Sequence, residues 1–488
     1  MNHLDIIKIG WENAGTDLQT TGDFVKNNHE NAQVLVVSAM RDEDFNSTDE
    51  LKNTAELLKN SDLEWAKNNF LEILNFHKTA LEKQNLSEII PEIEKIFLDI
   101  LACFENNSGK NISLENDFSI FTGEKYISLL GFWEEISALV HARLLESHWL
   151  ESQVVDTNNI KISDSNTYTH DVREYFSPDV KNILSLNKVP VVPGFIGNIP
   201  GGILQNIDRW YTDATASLVA LSQNEYFKST RLNIFKSVDG ILACDPRLFS
   251  WDFALWKNEK IDLISHMDYL TARELTGGSI GWKAKFLHEY ALSQDIMKAW
   301  IELKIVNPKF WDLWTTVNKN KNQDSQWVEI VNKRENISFV KITKAAFSEW
   351  VGDVEKIFEI VRQKGFSIDM IITSETQVSF SLEAKDISTL SDLQKTLETQ
   401  FFNNETSQIN KVEIENNMAL IHCIWQNLDD SYQLSLAKWI LALEDIWVKI
   451  HHFWGEREKG AIIFAIEEKN ANICVRKLAR EFNLINTK

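Results

Sequence analysis

The sequence predicts a doubly wound α/β domain followed by two smaller α+β modules, and three observations support this. At 488 residues the chain is too long for one ordinary core, so two or three domains are expected. Strand and helix signals alternate as far as about Asn307, which suits a parallel sheet with ligands at the carboxyl ends of its strands. After the polar stretch 318–324 the rhythm becomes strand, helix, strand, strand, helix, and a similar order recurs from Ala419 to Phe482.

The elements can be justified in order. Residues 4–9 and 33–38 are short β-branched and aliphatic runs, followed by Gly10 and by Ala39-Met40; they read as buried parallel strands feeding loops. From about 47 to 105, Leu, Ile and Phe recur at helical spacing among Asn, Lys and Glu, which predicts a helical hairpin insert. Residues 190–213 begin with a buried strand signal, Pro-Val-Val-Pro-Gly-Phe-Ile-Gly. A glycine-bearing loop follows and then a helix over 214–222, a junction that points backbone N–H groups at an anion. In the C-terminal third, residues 337–342, 353–362, 367–373, 377–382 and 390–398 supply the strands and helices of the first small module.

Bulk composition narrows the function. A formal charge of -21 argues against nucleic acid or an anionic membrane as main partner, since both reward positive surface. A phosphate ligand must therefore be held by local donors. Cys103, Cys244, Cys423 and Cys474 are too few and scattered for a disulfide framework or a zinc site, which fits a reducing cytoplasm. No apolar run approaches the ~20 residues of a membrane span, and residues 1–10 do not read as a signal peptide.

The motifs are more specific. The stretch 190–213 resembles the aspartate kinase branch of the amino acid kinase family, whose pattern there is VPVVPGFIG, two glycines and then TTLGRGGSD. Lys8-Ile-Gly10 is similar to the family's KFGGTS, Gly131-Phe-Trp-Glu-Glu-Ile-Ser137 to its SxGExxS helix start, residues 238–247 to VDGVYTTDPR, and residues 284–288 to GAKVLHP. The resemblance implies an amino acid kinase (carbamate kinase-like) three-layer αβα domain over 1–317, then two ferredoxin-like α+β ACT domains over 325–410 and 411–488. ACT pairs usually associate with another copy, so a homodimer is implied, with lysine or threonine as effector.

The resemblance also implies roles. Lys8 would reach the transferring phosphoryl group and Asp213 would organise the active-site cations, although aspartate at that point is also a common helix cap. Glu134 would accept the substrate's α-amino group, and the guanidinium fork of Arg209 suits its α-carboxylate. Gly10, Asp239, Gly240, Arg247 and Lys285 would bind ATP, with Mg²⁺ and no dedicated metal ligands in the chain; His288 is expected to be structural. Phosphoryl transfer needs positioning and charge neutralisation rather than a covalent intermediate, and these residue types suit it.

One departure is systematic. Average usage would give about 34 glycines. The chain has 18, alongside 17 tryptophans. Trp11, Trp133, Trp210, Trp300, Trp314, Trp425 and Trp454 stand where the family has glycine, and indoles at Trp11 and Trp210 would fill space a phosphate needs. The expectation is that these are UGA codons read as glycine in the source organism. Glu12, Asn13, Asp208, Tyr211 and the run 203–206 also depart from the pattern without that explanation.

Three functions are consistent with these residues. The leading one is aspartate kinase, making 4-phospho-L-aspartate and ADP from L-aspartate and MgATP, the first step toward lysine, threonine and methionine. The second is a catalytically impaired relative that binds an amino acid or a partner chain through its ACT modules. The third is a kinase for another amino acid or a carbamate, which Glu134 paired with Arg209 disfavours for acids lacking a free α-amino group.

Overall fold

The structure is a computed structural model that describes residues 3–10, 18–28, 30–40, 50, 53–54, 57, 62–106, 112–113, 119–122, 125–128, 131–157, 160, 168–196, 211–236, 239–249, 259–277, 287, 289–309, 313–322, 328–344, 352–383, 387–402, 409–426, 432–456 and 460–487. They fall into two compact units, residues 1–241 with 286–319 and residues 242–285 with 320–488.

In the first unit the apolar runs become a mostly parallel sheet. Its strands are β1 (His3–Ile9), β2 (Ala32–Val37), β3 (Ser152–Val154), β4 (Val189–Pro193), β5 (Ser229–Phe235), β6 (Glu302–Val306) and β7 (Trp314–Asn318). They lie in the order β7-β6-β5-β1-β2-β4-β3, and only β6 with β7 is antiparallel. Every residue of β2 is buried, as expected of a central parallel strand covered on both faces.

Helices α1 (Leu18–Asn27), α2 (Leu63–Lys83), α3 (Ile90–Asn106), α4 (Phe132–Ser147), α5 (Tyr168–Ser185) and α6 (Tyr211–Gln223) belong to this unit, as does the short helix Gln294–Lys298. Helix α6 is buried along its whole length from Thr212 to Gln223. Its alanines and serines let it lie close to β1, β5 and α5. The predicted insert is a hairpin of α2 and α3, closed by Phe70, Ile73, Ile93 and Phe97; Asp62 caps α2 by accepting from the Trp65 N–H at 3.3 Å. Beyond it Ile112–Ser113, Ser119–Thr122 and Lys125–Ser128 pair as a small antiparallel ribbon.

The second unit joins both small modules in one sheet. Along the chain come β8 (Ile330–Lys344), α7 (Asp353–Gln363), β9 (Ile368–Thr373), β10 (Gln377–Glu383), α8 (Ile387–Phe402), β11 (Ile409–Ile424), α9 (Tyr432–Glu444), β12 (His452–Glu456), β13 (Ala461–Glu467) and α10 (Ala471–Glu481). The six strands run antiparallel in the order β9-β10-β8-β11-β13-β12. The strand read at 337–342 is the middle of the longer β8, whose first half carries Lys333 and Arg334, both buried. Charged residues hid that half from a hydropathy pattern.

Residues 242–285 group with this C-terminal unit. Hydrogen bonds join them to it: Val331 N–H donates to the Ala243 carbonyl, Glu259–Ile261 pairs with Ile485–Thr487, and Arg476 Nε donates to the Leu248 carbonyl at 2.5 Å. Gln426 is the main tie. Its Oε1 accepts from the Asp268 and Asn322 amides at 2.9 and 3.1 Å, and its Nε2 donates to the His266 carbonyl and to Glu329 at 3.0 and 2.9 Å. Gln426→Ala orphans two backbone donors, and a loss of about 3 kcal/mol is expected in denaturant unfolding.

Candidate active site

Two lysines end adjacent parallel strands. Lys8 is the penultimate residue of β1 and lies opposite Ile234 of β5, and Lys236 is the residue after β5. Between β1 and β5 the strand order reverses, since β1 has β2 on its other side. At such a switch point the loops diverge and leave a crevice at the strands' carboxyl ends. Asp213, the third residue of α6, reaches back to this point. Its Oδ1 is 2.7 Å from Lys8 Nζ and its Oδ2 is 3.9 Å from Lys236 Nζ.

Asp213 therefore does more than cap a helix. The Lys8 and Asp213 side chains are 4% and 1% exposed, so each charge depends on the other for its place inside. Two ammonium groups converge on one carboxylate at the N-terminus of a helix, an arrangement that favours an incoming anion despite the acidic whole.

The loop after β4 approaches this helix closely. A Cβ on Gly194 would lie 2.6 Å from Thr212 Cγ2 and 2.7 Å from the Val37 carbonyl, so only glycine fits. Thr215 Oγ1 donates to the Gly194 carbonyl at 2.7 Å, and Ser38 Oγ donates to Thr212 Oγ1 at 2.8 Å. The ends of β2, β4 and α6 are thereby locked together.

Glu134 sits in the first turn of α4, buried to 1% exposure. The Tyr211 hydroxyl donates to its Oε1 at 2.5 Å, while Oε2 is buried with no hydrogen-bond partner. Burial pushes this carboxyl up to about 7, against the downward pull of the Tyr211 hydroxyl and of the Glu134 and Ala39 backbone amides. The Tyr211 ring is held edge-on by Phe195 at 4.9 Å. Because Tyr211 begins α6, the same helix start carries both Asp213 and the partner of Glu134.

The structure thus brings Lys8, Asp213 and Glu134 into one constellation. Gly10 adjoins it: a Cβ there would meet Lys8 Nζ and the Phe235 carbonyl at 3.4 Å. Asp239 and Gly240 follow Lys236; Asp239 Oδ1 accepts from Asn307 Nδ2 at 2.8 Å, and Gly240 has φ +124°. Arg247 lies in the second unit, its guanidinium forked onto Asp245 at 3.0 and 3.1 Å. Arg209, Lys285 and His288 lie outside the described residues.

Sequence reading missed Lys236, Ser38, Tyr211 and Thr212. Lys236 carried a signal, a lysine directly after the strand-like stretch Leu232-Asn-Ile-Phe235, yet only the strand order shows that it neighbours Lys8. Among the described residues no cluster of three His, Cys, Asp or Glu side chains could hold a metal, and no helix is long and apolar enough to cross a membrane.

Residues 13–293 match the amino acid kinase family, and the chain belongs to that family. It is 27% identical over 285 residues to an aspartokinase of Schizosaccharomyces pombe, covering 52% of this chain and 51% of that one. Aspartokinase 1, chloroplastic, of Arabidopsis thaliana is 23% identical over 76% of this chain and 63% of its own. Lysine-sensitive aspartokinase 3 of Escherichia coli is 25% identical over 73% and 74%. The chain thus spans about half to three quarters of the length of these relatives.

Among solved structures, aspartate kinase of Clostridium acetobutylicum superposes with TM-score 0.72 at 17% identity, covering 98% of this chain and 100% of that one. E. coli aspartokinase III in complex with aspartate and ADP gives 0.67 at 19%, over 98% and 100%. The chain shares its fold with these aspartate kinases.

Proposed function

We propose that the protein phosphorylates the β-carboxylate of L-aspartate with MgATP, giving 4-phospho-L-aspartate and ADP. The observation that carries this is the joining, at one helix start, of a two-lysine anion site on Asp213 to the buried carboxylate of Glu134. Family membership, relatives named aspartokinase and the likeness to a chain bound to aspartate and ADP support it.

On this reading Lys8 and Lys236 donate to phosphoryl oxygens and offset the charge that develops during in-line attack. Asp213 holds both ammonium groups at the strand ends, so their positions are set before the nucleotide arrives. Glu134 Oε2 accepts from the substrate ammonium, and Arg209 clamps the α-carboxylate. Gly10, Asp239, Gly240, Arg247 and Lys285 are proposed to line the ATP phosphates.

The donor set also fits Mg²⁺. This ion keeps waters and takes one or two carboxylates with substrate phosphates, so a single buried Asp213 suffices and no three-ligand cluster is required. When bound it would neutralise phosphate charge. The C-terminal sheet is proposed to bind an amino acid effector, lysine or threonine, in a homodimer; one relative is named lysine-sensitive.

Coupled ADP release tests the reading, with the full chain given L-aspartate, L-glutamate or N-acetyl-L-aspartate. Release is expected with aspartate and is expected to fall sharply when the ammonium is acetylated. No release with any of the three sinks the kinase reading and leaves an amino-acid-binding protein, which the relatives do not favour.

A further inference from the structure

Two observations carry inferences of their own. The first rests on the aspartate kinase reading. We infer that Tyr211 is a positioning residue: its hydroxyl holds Glu134 by Oε1 and leaves Oε2 to the substrate ammonium. The phenol is braced by Phe195, whose ring also lies where a Cβ on Gly131 would go, 2.7 Å away, at the N-cap of α4. The brace therefore couples the starts of α4 and α6, the two helices that carry the amino acid grip and the phosphoryl cations. A donor on Oε1 also stabilises the ionised carboxylate, which is the form an ammonium needs.

Tyr211→Phe tests this. The Michaelis constant for aspartate is expected to rise about tenfold with kcat nearly unchanged, and the acid limb of kcat/KM to move to higher pH. An acid limb that stays in place overturns the inference. Titration of the Glu134 carboxyl by NMR in glutamate-labelled protein, assigned with Glu134→Gln, gives an activity-free readout: its midpoint should rise in Tyr211→Phe, and an unmoved midpoint overturns the assignment even if the protein proves not to be a kinase.

The second inference comes from helix ends. Among the described residues seven helices, α2, α4, α5, α7, α9, α10 and the short Gln294–Lys298, finish with the same pair of hydrogen bonds, in which one residue donates to the carbonyl three back and the next residue to the carbonyl five back. This closure requires a left-handed residue, which glycine adopts freely and asparagine tolerates. Four of the seven obey that rule, with Asn85, Asn187, Gly365 and Asn483 at φ +59, +57, +71 and +55°. The other three have Trp149, Trp300 and Trp447 at +66, +56 and +54°.

Tryptophan is among the residues least suited to that conformation, because its Cβ meets the following carbonyl and a bulky ring adds to the crowding. Nothing in its packing compensates. The three side chains are 90, 65 and 89% exposed, and the ring contact of Trp300 with the Lys319 ammonium is itself at the surface. Among the described residues every other non-glycine at positive φ is asparagine.

We propose that Trp149, Trp300 and Trp447 are glycines in the protein as its source cell makes it, encoded by UGA, a codon that some translation systems read as tryptophan and others as glycine. The 18 glycines and 17 tryptophans together match the glycine content of an average chain this long, about 7%. Of the seven positions flagged from sequence, the backbone criterion selects Trp300. It makes no demand at Trp133, Trp314, Trp425 or Trp454, while Trp11 and Trp210 lie outside the described residues.

Peptide masses of the protein isolated from its source decide the matter. Glycine at the three positions, with UGA in the gene, is the expected result; a UGG codon or a tryptophan-bearing peptide at any of them overturns it. In the chain carrying tryptophan, Trp149→Gly, Trp300→Gly and Trp447→Gly should each raise the folding equilibrium constant about tenfold. No rise in unfolding midpoint in any of the three removes the strain on which the inference stands.

Discussion

Lys8→Met is expected to lower the rate of aspartate-dependent ADP formation by about 10²- to 10³-fold and to destabilise the first unit by about 3–5 kcal/mol. Both effects come from one ion pair. The variant removes an ammonium group placed for the phosphoryl oxygens, and it leaves the Asp213 carboxylate 1% exposed with its 2.7 Å partner gone. Lys236, at 3.9 Å, is too far to replace a direct contact. A purely structural pair would behave differently from a catalytic one in the double variant Lys8→Met/Asp213→Leu. Removing both charges should restore most of the unfolding midpoint, since an apolar pair of similar volume is tolerated inside a protein, while activity stays lost. Recovery of activity along with stability would show that Lys8 serves the fold alone.

Glu134→Gln is expected to raise the Michaelis constant for aspartate about 10²-fold, with a smaller effect on kcat, because a charge-assisted hydrogen bond to the ammonium is replaced by a neutral one. Its pH dependence is equally diagnostic. The carboxyl has its ordinary value of 4.5 raised to about 7 by burial, so in the wild type kcat/KM should climb through an acid limb near neutrality as Oε2 ionises. That limb should vanish in the variant.

Stability moves the opposite way. Since the folded-state value lies above the unfolded one, the protonated form is favoured by folding. That contribution is complete below about 4.5 and is lost as pH rises through about 7. Glu134→Gln should therefore be more stable than wild type at pH 8, on the order of 3 kcal/mol, and the gap should close toward pH 4. Unfolding curves at the two pH values check the sign; a variant less stable at pH 8 would mean that the ionised carboxylate is welcome in its pocket and that burial has been misread.

Much of the fold was legible one residue at a time. Buried parallel strands advertise themselves as unbroken β-branched runs, so β1, β2 and β4 fall within a residue or so of the runs at 4–9, 33–38 and 190–193. Amphipathic helices do the same through their period, as α7 and α8 show against 353–362 and 390–398. The ribbon over 112–128 did not, because strands of two to four residues are too short to carry a period. The first half of β8 was hidden by Lys333 and Arg334, whose charges find partners in the folded chain: Lys333 Nζ bonds Glu335, two residues on, and Asn472 at 2.5 Å, and Arg334 lies 3.8 Å from Glu383.

The candidate site divides along the same line. Lys8, Glu134 and Asp213 were identified from local motifs, since each stands at a strand end or helix start whose neighbours are consecutive in sequence. By itself, then, the sequence determined the family, the order of the elements and the kinds of groups available for phosphoryl transfer. Only the tertiary structure decided that Lys236 stands beside Lys8, that Tyr211 takes Glu134 by one oxygen, that residues 242–285 hydrogen-bond with the C-terminal sheet, and that three tryptophans occupy backbone made for glycine. Each of these depends on strand order, on a contact across many residues or on the sign of a dihedral angle. A chain read locally carries the chemistry of its groups, but the distances between remote groups are set by which surfaces bury one another.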